Sequence, residues 1–155
     1  MKGVKKHRGF TLIEILVVIG LIAILAAIVL IAINPGRQFA QARNSQRESN
    51  VNTILNAVGQ DLADNKGVFG GVCGALLPIP TARKSVDDAA GGPGINLSCL
   101  APTYIASSIP RDPTQAAGAD TGYAIAVDAT GRVTVCAPKY AEAALGTPPE
   151  YCLTR

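Results

Sequence analysis

The chain has no tryptophan, three phenylalanines and four tyrosines, so large rings can fill only a small part of any core, and a thick globular core along the whole length is excluded. Imidazole is nearly missing too. The one histidine, His7, lies among the first ten residues, and no G-x-S-x-G or G-x-x-x-x-G-K-[ST] pattern occurs, which leaves no Ser/His or Cys/His pair for the body of the chain and no phosphate loop. Asp87-Asp88 is a pair of carboxylates, but neighbours in a loop serve to keep it hydrated. Catalysis is not expected, and no cofactor is implied. With 155 residues the chain has room for about one domain, which rules out a large multidomain enzyme.

What is present is unevenly placed. Charged residues make up only 16% of the sequence and mean hydropathy is +0.28, yet the apolar character is concentrated in Ile15 to Ile33, where no charged side chain interrupts. The net charge of +3 is equally local. Lys2, Lys5, Lys6 and Arg8 precede Phe10 with no acidic residue among them, and the remainder carries a slight acidic balance. The body therefore lacks a basic stripe, and nucleic acid is not expected as a direct ligand. Without such a stripe Tyr104, Tyr123, Tyr140 and Tyr151 are expected to cover a core rather than stack on bases.

At ~1.5 Å per residue the apolar run nearly crosses the ~30 Å of a bilayer's hydrocarbon, and Phe10 to Ile13 extend it. A secretory signal has a shorter run followed by a small-x-small cleavage site, whereas Ala26, Ala27 and Ala32 sit inside this one. An anchor that is uncleaved, or cleaved elsewhere, is the better reading. The crowding of Lys2, Lys5, Lys6 and Arg8 against the more scattered Arg37, Arg43 and Arg47 predicts an N-terminus in the cytoplasm and everything from about Asn34 onward outside.

Glu14 violates the membrane pattern. A carboxylate at membrane depth costs ~2.5–3.5 kcal/mol on insertion scales and calls for a partner, unless it reaches the headgroups at the cytoplasmic edge. Its surroundings, Arg8-Gly9-Phe10-Thr11-Leu12-Ile13-Glu14 after lysines and before an apolar helix, resemble the class III signal of type IV pilins and type II secretion pseudopilins. The resemblance implies that a membrane-embedded prepilin peptidase cuts after Gly9, that the same enzyme methylates the new N-terminus at Phe10, and that His7 leaves with the leader. It also implies that Glu14 pairs with the Phe10 amine of a neighbouring subunit, setting axial register because a slipped subunit leaves both charges unpaired. The segment is then a membrane anchor before assembly and a filament core after it.

Beyond the run, Asn34-Pro35-Gly36 predicts a kink or locally melted turn; the proline of the pilin family usually lies a few residues earlier. The spacing of Val51, Ile54, Leu55, Val58 and Leu62 predicts a resumed helix to about Asn65-Lys66-Gly67, with Arg43, Arg47, Glu48, Asn52, Asn56 and Asp61 largely off the apolar stripe. Gly67 to about Thr121 is rich in breakers (Gly70-Gly71, Pro78-Ile79-Pro80, Gly91-Gly92-Pro93-Gly94) and reads as a long loop with at most short strands. Tyr123 to Val127 and Val133 to Val135 alternate around Asp128-Ala129-Thr130-Gly131, which predicts a hairpin with one face on the helix stripe. A third strand is expected near Tyr104-Ile105, in a small antiparallel sheet.

The four cysteines, Cys73, Cys99, Cys136 and Cys152, allow three pairings, and none has C-x-x-C spacing. Structural disulfides outside the cytoplasm are the favoured reading, most economically Cys73–Cys99 and Cys136–Cys152, each contributing ~3 kcal/mol through the unfolded chain. A C-terminal loop closed by cysteines is similar to the disulfide-bounded region of many type IV pilins. Major pseudopilins more often carry a calcium loop; Asp112, Asp120 and Asp128 offer oxygens, but scattered aspartates are ordinarily turn residues and no metal is expected. Asn96-Leu97-Ser98 matches the short glycosylation triplet without an acidic residue at Gly94.

The expected architecture is α+β and type IV pilin-like: leader 1–9, membrane or filament-core helix 10–33, helix continuation 34–66, and globular head 67–155. The expected partners are copies of itself in a helical filament, other pilins, the prepilin peptidase/methyltransferase, the assembly platform and, before assembly, the cytoplasmic membrane. The filament would serve adhesion, motility, DNA uptake or secretion. The alternative is a single-pass anchored or secreted binding module or enzyme that uses the apolar segment only for export.

Overall fold

A computed structural model describes residues 9–70, 79–146 and 148–155. The chain divides into two compact units, Met1–Gly36 and Arg37–Arg155. Helix α1 (Leu12–Ala32) lies in the first. Helix α2 (Pro35–Asp64) opens at the boundary between them, and strands β1 (Lys84–Asp87), β2 (Ile95–Asn96), β3 (Asp120–Val127), β4 (Val133–Ala137) and β5 (Tyr151–Thr154) follow.

The helix break lies just before the proline. Pro35 disfavours helical dihedrals in the residue preceding it, and Asn34 is accordingly non-helical while Ile33 is extended at φ −93°, ψ 125°. Pro35 itself opens α2, where its missing N–H is not required. At the other end, the Gly67 N–H donates to the Leu62 carbonyl at 2.7 Å while Lys66 and Gly67 take positive φ, 55° and 86°. That is the 6→1 closure of a Schellman motif, with lysine rather than glycine in the first left-handed position.

Val51, Ile54, Leu55 and Val58 of α2 are buried and Leu62 partly so. They share one apolar core with Val86, Ile95, Tyr123, Ile125, Val133 and Val135 of the sheet, and with Leu97, Leu100, Ile105 and Ile109 from the connections. Each fully buried aliphatic side chain here contributes ~1.5–3 kcal/mol over exposure. Two polar residues expected off the stripe, Arg47 and Asp61, are also buried; Arg47, four residues before Val51 and seven before Ile54, in fact shares the apolar face. Both have partners: Asp61 accepts the Gly70 N–H at 2.7 Å and an Asn65 amide N–H at 3.0 Å.

The sheet has the order β2-β1-β3-β4-β5. The β3–β4 hairpin pairs Ala124 with Cys136 through Val127 with Val133, and its turn is organised by Asp128, whose Oδ1 accepts the Thr130 and Arg132 N–H groups at 2.8 and 3.0 Å. Three features differ from expectation. First, the sheet is mixed, because β2 runs parallel to β1 with Val86 opposite Ile95. The short return is possible because Gly94 has no side chain: a Cβ there would stand 2.2 Å from the Ser85 carbonyl oxygen. Second, Tyr104-Ile105 is not a strand. Both N–H groups donate back to the Leu100 carbonyl, at 2.8 and 3.1 Å, which curls the chain and denies those donors to a ladder. Third, β5 forms an edge strand, in which Tyr151 and Leu153 alternate inward with the exposed Cys152 and Thr154.

Candidate functional site

The N-terminal segment follows directly from its composition. All of α1 is exposed, from Leu12 to Ala32, and its 21 residues are long and apolar enough to cross a membrane by length and composition. Thr11 is the N-cap: its backbone is extended and its Oγ1 accepts the Glu14 N–H at 3.3 Å. Glu14 thus occupies the third helical position of a T-x-x-E capping box, from which a carboxylate can turn back to the N-cap N–H and favourably meet the positive end of the helix dipole. The sequence signal for this local role was Thr11 three residues before Glu14, which charge and depth alone do not disclose.

In the head, the functional-looking chemistry is a buried ionic cluster. Arg47, 1% exposed, projects from α2 and donates through Nε to Asp112 Oδ2 at 2.6 Å, through Nη1 to Glu142 Oε1 at 2.6 Å and to Asn44 Oδ1 at 2.8 Å. Arg43 holds the same Glu142 through Nε and Nη2, both at 2.8 Å. Asn50, one turn on, donates to the Tyr123 hydroxyl at 2.8 Å and to the Arg111 carbonyl at 3.1 Å, and Glu48 accepts from the Tyr140 hydroxyl at 2.5 Å. One helix face thereby ties down the 111–115 turn, β3 and the loop after β4.

Burial works against the charge on Arg47, but its hydrogen bonds to Asp112 and Glu142 outweigh it and raise its pKa. Burial likewise opposes ionisation of Asp112, and Arg47 and Thr114 overcome it, so its carboxyl lies below the ordinary range. The hydrogen bonds from Arg43 and then Arg47 bring Glu142 down to about 2. Carboxyls depressed in the folded state add stability above their unfolded pKa, ~4, that disappears as pH falls through the folded value. The head is therefore expected to melt at a constant temperature from about pH 7 to 5 and progressively lower toward about pH 2. Circular dichroism melts over that range check this, and Glu142→Gln should flatten the acid limb while lowering the plateau. An unchanged melting temperature at acid pH contradicts it.

Cys136 and Cys152 form a disulfide between paired residues of β4 and β5, closing the loop that Tyr140 and Glu142 fasten to α2. Cys99 is also disulfide-bonded, while Cys73 lies outside the described residues. Asp112, Asp120 and Asp128 are not gathered at one point: among the described residues, the grouping with metal-ligand proximity is Cys136, Glu150 and Cys152, whose sulfurs are bonded to each other and offer no thiolate. Asp87 accepts the Gly94 N–H at 2.7 Å and Asp88 pairs with Arg111 at 2.6 Å, so the adjacent carboxylates have separate structural partners. The Asn96 side chain accepts the Ser98 N–H at 2.9 Å.

Residues 4–30 match the prokaryotic N-terminal methylation motif, the class III signal peptide. With the apolar helix α1, the α+β head and the Cys136–Cys152 bridge, the chain fits a type IV pilin-like or pseudopilin precursor. The motif points to a structural subunit, to processing by a prepilin peptidase, to assembly with other pilins and to membrane anchoring before assembly. No curated protein and no solved structure matches the chain significantly.

Proposed function

We propose that the chain is a structural subunit of a type IV pilus-like filament, cut between Gly9 and Phe10, methylated on Phe10 and polymerised through its N-terminal helix. The observation that carries this reading is the methylation motif at residues 4–30 running into a helix that is apolar and exposed along its whole length, with Glu14 as its single charged side chain. In the membrane, lipid covers that surface; in a filament, other copies cover it. Before cutting, Lys2, Lys5, Lys6 and Arg8 hold the N-terminus in the cytoplasm with the head outside. Cutting at Gly9 removes those charges and releases the helix from its cytoplasmic anchor.

The cut also creates an ammonium at Phe10, one residue before the Thr11 cap of α1. A positive charge beside a helix N-terminus opposes the dipole, so the amine gains from a carboxylate supplied by a neighbour, and Glu14 is that carboxylate. N-terminal sequencing of exported protein is expected to begin at N-methylated Phe10. A start within or beyond Ala26 to Ala32 would instead favour an anchored or secreted module that uses the apolar segment only for export.

A further inference from the structure

The two sulfurs of the C-terminal bridge stand in opposite environments. Cys136 lies in β4, an interior strand between β3 and β5, and is 1% exposed. Cys152 lies in the edge strand β5 and is exposed. Beside Cys152 stands a guanidinium: Arg83 Nη2 is 3.9 Å from its Sγ. Glu150 holds that guanidinium in place, accepting from Nη1 at 2.5 Å and from Nη2 at 3.2 Å. The guanidinium favours the thiolate, which is the nucleophile in thiol–disulfide exchange, and partly offsets the Glu150 carboxylate that lies within 4.8 Å of both sulfurs, so the difference between the two cysteines rests chiefly on access to solvent, open at Cys152 and closed by burial at Cys136.

We infer that Cys152 is the entry sulfur through which the C-terminal bridge is closed, taking its oxidising equivalents from an organic disulfide, R–S–S–R, of a thiol oxidoreductase or a small thiol. In the first step the Cys152 thiolate attacks one sulfur of R–S–S–R. A Cys152–S–R bond forms, the R–S–S–R bond breaks, and one RS⁻ leaves with its electron pair. In the second step Cys136 gives its proton to solvent and attacks the Cys152 sulfur, and the second RS⁻ departs. The protein loses two electrons and two protons, and the organic disulfide becomes two thiols. Pairing of β4 with β5, which places Cys136 opposite Cys152, makes the second step intramolecular. Cys136 therefore acts as the resolving sulfur and needs no access to the oxidant. The chemistry belongs to the folded head and stands whether or not the chain polymerises.

The full chain in detergent micelles, reduced with a phosphine and desalted, is mixed with glutathione disulfide, quenched with acid at intervals and mapped by peptide mass. Glutathione is expected first on Cys152, in at least ~10-fold excess over Cys136, and to disappear as the bridge forms. Cys136→Ser should trap the Cys152 adduct, and Cys152→Ser should leave Cys136 labelling at least ~10-fold more slowly. Arg83→Ala should slow the Cys152 adduct a few-fold, with Arg83→Lys retaining most of the rate. Denaturation in urea should bring the two sulfurs to comparable rates. Glutathione arriving first or equally on Cys136 in the folded wild type, or a preference for Cys152 that persists undiminished in urea, overturns the assignment.

Discussion

Arg47→Ala is expected to lower the unfolding free energy of the head by ~3–5 kcal/mol, the cost of removing one partner from a buried ion pair. The change leaves Asp112, 3% exposed, facing an empty space where Nε donated at 2.6 Å, and it removes the 2.6 Å contact to Glu142. Against a total stability of ~5–15 kcal/mol for a domain of this size, that is a fifth or more. Arg47→Lys should recover only part of the loss, because an ammonium cannot meet Asp112, Glu142 and Asn44 from one planar fork. A further comparison separates charge from shape. Arg47→Met combined with Asp112→Leu removes both buried charges, and should be less destabilising than Arg47→Ala alone. Denaturant unfolding of the full chain in detergent, followed by circular dichroism, supplies the numbers. A loss below ~1 kcal/mol for Arg47→Ala would show that the cluster is solvated in solution, as surface ion pairs are.

Glu14→Val is expected to abolish efficient filament assembly while processed protein with a folded head accumulates in the membrane. Membrane insertion itself should become easier by up to ~2.5–3.5 kcal/mol, since a carboxylate leaves the apolar segment. The loss appears on assembly: a Phe10 ammonium buried against a neighbour without its carboxylate costs ~3–5 kcal/mol at each subunit contact. Because Glu14 also stands third in the helix behind the Thr11 cap, a second variant is needed to part the two roles. Glu14→Gln keeps a side chain able to complete the capping box but carries no charge. If pairing with the amine drives assembly, Glu14→Gln fails as Glu14→Val does; if the local cap is what matters, Glu14→Gln assembles. Filament yield by electron microscopy, in cells lacking the wild-type subunit, reads the outcome. Normal yield from Glu14→Val would sink the pairing and weaken the filament proposal with it.

The contrast between those two residues shows what kind of pattern each depends on. Glu14 is conspicuous in one dimension, a charge beside an uninterrupted apolar run, and the leader and helix around it are local in sequence. The same holds for the β3–β4 hairpin, where alternation and the Asp128–Gly131 turn are contiguous, and for the Val51-Ile54-Leu55-Val58 stripe of α2. The partners of Arg47 have no such signature. On a helical wheel Arg47 shares the apolar face, four residues before Val51 and seven before Ile54, so its burial follows the stripe, but the carboxylates that make the burial possible, Asp112 and Glu142, are 65 and 95 residues away.

The amino-acid sequence by itself thus determined the membrane-length helix, its break ahead of Pro35, the amphipathic second helix and the hairpin that shares its core, because periodicity and chain stiffness act between near neighbours. Only the tertiary structure decided that β2 joins β1 in parallel, that β5 closes the sheet edge, that Tyr104-Ile105 curls instead of pairing, and that Arg47 is the buried hub of the head. Those outcomes turn on distant contacts: the room left by a missing Cβ at Gly94, hydrogen bonds back to Leu100, and a desolvation cost that is offset only when carboxylates from two remote loops arrive at one guanidinium.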